Sequence, residues 1–173
     1  IPAQFKSTGD EVTAPQVNSG FSDARGRIWI GTSNGLYRLI PGTSSFNAVA
    51  PNQLQGITVQ AGALVSLPHT DLVILASDRA LYQFDTASEQ LSQLHITPDA
   101  RIHAIHVTPA KALWVGTDKG LYRSELSNNR FAPLQAEPHF PEGIRVSTIT
   151  TTATGNLVVG TAAEGLFVQT EAA

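Results

Sequence analysis

Short apolar runs closed by glycine and polar residues dominate this chain. Ile28-Trp29-Ile30 lies between Gly26-Arg27 and Gly31, and Leu36-Tyr37-Arg38-Leu39 follows after Thr32-Ser33-Asn34-Gly35. β-Branched and aromatic residues in runs this short predict buried strands rather than helix segments. Asn34-Gly35 is expected to supply the positive φ angles of a tight hairpin, which makes the two runs an antiparallel pair. The same string returns as Leu113-Trp114-Val115-Gly116-Thr117-Asp118-Lys119-Gly120-Leu121-Tyr122-Arg123. It returns more loosely as Val73-Ile74-Leu75-Ala76-Ser77-Asp78-Arg79-Ala80-Leu81-Tyr82-Gln83, and again as Leu157-Val158-Val159-Gly160-Thr161 followed by Glu164-Gly165-Leu166-Phe167-Val168. In the second copy Ala76 and Ala80 replace both glycines. Alanine is strained in a left-handed conformation, so that hairpin is expected to use another turn.

Gly31, Ala76, Gly116 and Gly160 stand at intervals of 45, 40 and 44 residues. Twelve and nine positions before each Trp slot lie Val17 and Gly20, Gly62 and Val65, Ile102 and Ile105, and Val146 and Ile149, mostly apolar. After each hairpin comes a run such as Ser45-Phe46-Asn47-Ala48-Val49, Gln90-Leu91-Ser92-Gln93-Leu94 or Arg130-Phe131-Ala132-Pro133-Leu134, reached through turn-forming residues. Each repeat therefore predicts a four-strand meander of inner, Trp, Leu-Tyr and outer strands. Four strands in about 40 to 50 residues is the spacing of a propeller blade. The expected fold is all-β, a β-propeller of four-stranded antiparallel blades forming a single domain, with repeats at about 17–49, 62–94, 102–134 and 146–173. Gln4-Phe5-Lys6-Ser7 resembles the runs around Phe46 and Phe131, so residues 3–8 are expected to close the last repeat as its outer strand. Two geometries fit: a small closed ring of four blades, or an arc of a larger propeller. An arc exposes an apolar blade face at each end and is expected to dimerise or precipitate.

Composition narrows the function. At 173 residues and 42% apolar content the chain can bury one sizeable core. A net charge of −3 provides no basic stripe to neutralise phosphates, which argues against nucleic acid as partner. No apolar run approaches the roughly 20 residues that span a bilayer. There is no cysteine, which excludes disulfides and thiolate sites. Methionine is absent even at position 1, as expected of a chain that starts after processing or inside a longer parent.

Read as one string, Asp23-Ala24-Arg25-Gly26-Arg27-Ile28-Trp29-Ile30-Gly31-Thr32-Ser33-Asn34-Gly35-Leu36-Tyr37-Arg38 resembles the repeat of two-component regulator propellers. That resemblance runs from about Val17 to Val168 and departs in copies two and four, where Ile74 and Val158 replace Trp. It implies a periplasmic domain of a hybrid histidine kinase or diguanylate cyclase. Such a domain binds a small molecule or oligosaccharide and signals through a membrane helix to a cytoplasmic output domain outside this chain.

Candidate chemistry is sparse. Trp29 and Trp114 could stack on sugars, but their mid-strand position points to packing between blades, and Tyr37, Tyr82 and Tyr122 share that reading. The hydroxyls of Thr32, Ser77, Thr117 and Thr161 are expected to bond backbone near their hairpins. Thirteen positions before the Trp slot, where the innermost strand starts, stand Gln16, Ala61, Arg101 and Arg145. Arginine forks grip carboxylates or several hydroxyls at once, so Arg101 and Arg145, with Gln16 and His103, form the candidate ligand site against the plainer reading of solvated rim charges. Strand alternation is expected to send Arg101 and His103 to one side and His106 to the other, and His69, His95 and His139 are scattered, so no metal site and no cofactor is expected. Asp10, Glu11, Asp71, Asp99, Glu137 and Glu142 fall in loops without enforced pairing, and no nucleophile is matched to a base. The expectation is a sensor without catalysis. A structural protein-docking disc is the alternative, and a propeller glycoside hydrolase or lyase the weaker one.

Overall fold

The apolar runs form strands, and every sheet is a meander of strands consecutive in sequence. The computed structural model describes residues 15–67, 69–95 and 99–169. Sheet 1 is β1 (Val17–Ser22), β2 (Ile28–Thr32), β3 (Gly35–Leu39) and β4 (Asn47–Val49), hydrogen-bonded in that order. One helical turn, α1 (Pro51–Leu54), leads on to sheet 2, which is β5 (Leu64–Ser66), β6 (Leu72–Ala76), β7 (Leu81–Asp85) and β8 (Gln90–Leu94). Sheet 3 is β9 (Ile102–Val107), β10 (Ala112–Thr117) and β11 (Gly120–Ser127), with β12 (Arg130–Phe131) and β13 (Gln135–Ala136) both paired to β11. Sheet 4 is β14 (Val146–Thr151), β15 (Leu157–Thr161) and β16 (Leu166–Gln169). The chain is all-β with antiparallel pairing throughout these sheets. β1 lies against β5, β5 against β9 and β9 against β14, so the sheets fan out from their first strands and fit a propeller-like arc. Among the described residues no helix is long and apolar enough to cross a membrane.

Three details differ from the sequence expectation. The outer run of sheet 3 splits in two, because Pro133 has no N–H to give to a ladder and the Asn128-Asn129 turn, with φ of 50° and 58°, folds β12 back on the far end of β11. Asn34 does not take a positive φ. Thr32 pairs with Gly35 across a Ser33-Asn34 loop, and only Gly35 is left-handed at φ 96°, while the Asn34 side chain accepts a hydrogen bond from the Gly56 N–H at 2.7 Å. Gly62 lies in a turn ahead of β5 rather than on the inner strand. The Ala80 hairpin does avoid positive φ, closing through a bond from Ser77 N–H to the Ala80 carbonyl. The four hairpin hydroxyls act as expected: each donates to the carbonyl of residue 35, 80, 120 or 165 of its own loop. Residues 3–8 lie outside the described residues.

Three apolar cores hold the sheets together, one at each junction. Between sheets 1 and 2, Trp29, Leu36, Val49 and Leu54 meet Val59, Leu64, Val73, Leu75 and Phe84. Ile74 and Leu81 of sheet 2 meet Leu113, Val115 and Tyr122 of sheet 3. Trp114 and Leu121 of sheet 3 meet Val146, Ile149, Leu157 and Val159 of sheet 4. Each large side chain buried this way stabilises by about 1.5–3 kcal/mol. The tryptophans are packing residues, not platforms.

Each tryptophan is capped by an arginine from the neighbouring strand. Arg38 pairs with Trp29 and Arg123 with Trp114, and their guanidinium carbons stand 5.4 and 5.3 Å from the indole centroids. Each guanidinium is also held by a carboxylate, Arg38 by Glu89 and Arg123 by Glu125, both at 2.6 Å, while the buried Nε atoms have no hydrogen-bond partner among the described residues and lie toward the ring face. Where Trp is missing, so is Arg: Ile74 pairs with Gln83 and Val158 with Val168. Gln83 instead reaches sheet 3, donating to the Asn129 carbonyl at 3.0 Å and accepting from Phe131 N–H at 3.2 Å.

In sheet 1 the buried Asp23 carboxylate organises the turn before the Trp strand. It accepts from Trp29 Nε1 at 2.8 Å, Arg27 Nε at 2.6 Å and the N–H groups of Arg25 and Arg27. Burial alone would raise its pKa, but the bonds from Trp29 and Arg27 together hold it below the ordinary carboxylate value. Asp23→Ala should cost about 1–3 kcal/mol in urea denaturation at neutral pH, because Trp29 Nε1 and Arg27 lose their acceptor. A depressed carboxylate contributes stability above its unfolded pKa, near 3.8, and loses it as pH falls through the folded value, so the gap between wild type and variant should narrow below that pH. At Gly116 an added Cβ would stand 2.9 Å from Val146 Cβ, and Gly116→Ala should cost about 1–3 kcal/mol by the same measurement.

Candidate functional site

In three of the four sheets the start of the inner strand is tied to the hairpin tip of its own sheet. Ser33 N–H donates to the Gln16 carbonyl, Asp118 N–H to that of Arg101 and Ala162 N–H to that of Arg145, at 2.8, 3.0 and 3.0 Å. Two of these ties are doubled: Gln16 N–H donates to Ser33 Oγ at 3.0 Å and Arg101 N–H to Asp118 Oδ1 at 2.8 Å. Gln16, Arg101 and Arg145 thus occupy one repeated place on one rim, all exposed. Ala61 does not join them, because it sits in the turn closed by Ala63 N–H and the Gln60 carbonyl.

A β-bulge sits just inside that place in three of the sheets. Thr117 pairs with Ile102 but Gly116 with Ala104, which leaves His103 as the extra residue; Asn18 and Ser147 are extra at the equivalent points of β1 and β14. The bulge corrects the alternation expected for β9. Ile102 packs toward sheet 2 and Ala104 toward sheet 4, although they are two residues apart. His103 is thereby aimed out of the alternation, among Arg145, Asp118, Asp78 and Arg101. His106 takes a separate place between sheets 3 and 4, with Nε2 2.5 Å from Thr151 Oγ1.

Around His103 the charges form a mixed network. Asp78 lies 3.5 Å from Arg101 Nε and 3.7 Å from Arg79, Arg79 pairs with Asp99 at 2.7 Å, and Lys119 Nζ donates to the Asp99 carbonyl at 2.6 Å. These side chains are half or more exposed, so each pair contributes at most about 1 kcal/mol. Arg145 makes no salt bridge among the described residues. Burial first, and then the Arg145 cation, hold the His103 pKa below the ordinary imidazole value, with Asp118 and Asp78 opposing. Its Nε2 is buried and has no hydrogen-bond partner among the described residues. The rim therefore carries two exposed arginines from adjacent sheets beside His103, Arg101 facing Asp78 and Arg145 without a salt bridge among the described residues. Asp78 and Asp118 escaped the sequence reading; the signal was an acid one position after the Ser or Thr of each middle hairpin. Among the described residues no cluster of His, Asp and Glu could hold a metal. A cleft of about 530 Å³ lies elsewhere, along the outer edge between β13 and β16, and its lining includes an Arg123–Glu125 salt bridge and a Glu137–His139 hydrogen bond.

No family model and no curated protein matches the sequence. Among solved structures the fold is similar to the extracellular domain of BT4673 from B. thetaiotaomicron, assigned to a hybrid two component system. Identity there is 19% and the TM-score 0.74, over 98% of this chain and 23% of that one. It is also similar to PorZ, an essential surface component of the type-IX secretion system of Porphyromonas gingivalis (18% identity, TM-score 0.69, 98% of this chain and 28% of that one). A third likeness is to a catalytically inactive virginiamycin B lyase from Staphylococcus aureus (14% identity, TM-score 0.64, 89% of this chain and 55% of that one). At these identities the likeness is one of fold, and the chain spans about a quarter of the length of the first two.

Arg145→Ala should raise the His103 pKa toward 6.5, since removing a neighbouring cation makes protonation easier. The His103 ring-proton titration followed by NMR checks this, and His106, whose pKa burial alone lowers, serves as the unmoved reference.

Proposed function

We propose that this chain is a propeller arc from a non-catalytic, periplasmic sensor of a bacterial signal-transduction receptor, which binds a small molecule or oligosaccharide at the rim. The observation that carries this reading is the grouping of Arg101, His103 and Arg145 on one rim, both arginines exposed and both near enough for their charge to lower the His103 pKa. Guanidinium forks donate several hydrogen bonds in a fixed plane, a geometry suited to sugar hydroxyls or a carboxylate. Gln16 stands at the equivalent place in sheet 1, where an amide would extend the contact. Likeness to an extracellular domain of a two component system supports the compartment and the sensory role. The bare apolar faces of sheets 1 and 4 support an arc over a closed ring of four blades.

A second reading, a propeller lyase, has the likeness to virginiamycin B lyase on its side. Against it, the rim carboxylates are already engaged, Asp78 and Asp99 by arginines and Asp118 by a backbone N–H.

The test is a thermal-shift panel of mono- and oligosaccharides. A ligand at 100 times its dissociation constant should stabilise the fold by about 2.7 kcal/mol. Arg101→Ala and Arg145→Ala should abolish that shift and leave the basal melting point in place, because both side chains are exposed. A panel without any shift would favour a protein-docking role, and undiminished binding by both variants would remove the rim from the proposal.

A further inference from the structure

Each junction between sheets is built the same way. The face carrying residue 29, 74 or 114 packs forward onto the next sheet, and the face carrying residues 73 and 75, 113 and 115, or 157 and 159 packs backward onto the previous one. Among the described residues two faces are left over. On sheet 1 the backward face leaves Val17 58% and Ile28 41% exposed, with Ile30, Tyr37 and Leu39 partly covered. On sheet 4 the forward face leaves Leu166 71% and Val168 57% exposed, whereas Leu36, Leu81 and Leu121, at the register of Leu166, are all buried to 4% or less.

These two faces are complementary in detail. Val59 stands over Gly31 and Val146 over Gly116, so close that a glycine Cβ would come within 2.9 Å of either valine Cβ. Gly160 holds the same register on sheet 4, yet the described atoms nearest to a Cβ there belong to Thr148 and Leu166 of its own sheet. Val17 holds the register of Val146, which is fully buried, and is itself bare. Neither face brings a charge. Strands β14, β15 and β16 contain no charged residue, and Arg38, the one charge in the strands of sheet 1, is on the forward side against Trp29.

We infer that two copies of this chain dock head to tail, the backward face of sheet 1 on the forward face of sheet 4, with Val17 of one copy over Gly160 of the other. The occupant is a second copy because the two bare faces are the halves of a junction that the chain already builds three times within itself. Such an interface is heterologous: it closes when each copy receives the other, and otherwise continues as an open series. The inference stands apart from the sensor reading and needs no ligand.

Sedimentation equilibrium of the 173-residue chain over a range of loading concentrations should give twice 18.4 kDa, or a longer series built from the same contact. Val17→Asp and Leu166→Asp should each sediment as monomers while keeping the β-sheet circular dichroism, since both side chains are bare in one copy. If aspartate abolishes that signal at either position, the serine variants take its place. An equal mixture of the two variants should associate again, because each keeps one intact face. A monomeric wild type would overturn the proposal, as would association that survives in either single variant, which marks docking of one face on itself. A mixture that stays monomeric would also overturn it.

Discussion

A meander of four short strands has two apolar faces and cannot cover either by itself. Everything in this structure answers that constraint. Three junctions bury aromatic and aliphatic side chains from both partners, and the approach is close because Gly31 and Gly116 leave room for a valine of the following sheet. Larger residues at those two positions would hold the sheets apart and lose dispersion contacts along the whole junction. The tryptophans belong to the same economy of space: they fill the first and third junctions, and the arginines laid over them carry their charge on to Glu89 and Glu125.

The rim inherits its geometry from this packing. Bonds between hairpin tips and the starts of the inner strands place Gln16, Arg101 and Arg145 at one level, and the bulge re-aims His103 into the space between neighbouring sheets. None of these features requires a loop of unusual length. The chemistry of the rim is that of repeated positions made unequal by single residues, with arginine in two sheets and glutamine in a third.

Much of the fold was legible because strand runs, turn glycines and the interval between repeats all point the same way. The inner pair of each hairpin, from Ile28 to Leu39 and from Leu113 to Arg123, could be placed directly from alternation and turn chemistry. The outer strands were less legible: Pro133 and the Asn128-Asn129 turn divide one of them, and only pairing with β11 shows where each half goes. The site was legible by position but not by direction. A bulge depends on the register of the partner strand, so nothing in Arg101 through His106 read alone tells that Ile102 and Ala104 face different sheets. The Trp–Arg stack leaves a constant nine-residue spacing in copies one and three, but nothing in strand alternation singles that pair out before the register is known.

The placement of the two tryptophans makes the chain its own optical probe. Trp29 is sealed at the first junction with its indole nitrogen bound to Asp23, and Trp114 is sealed at the third with a single guanidinium over its ring. The middle junction, built on Ile74, holds no indole. Tryptophan emission of the folded chain therefore senses the first and third junctions and not the second, so loosening that began between sheets 2 and 3 would have to spread outward before the emission colour changed.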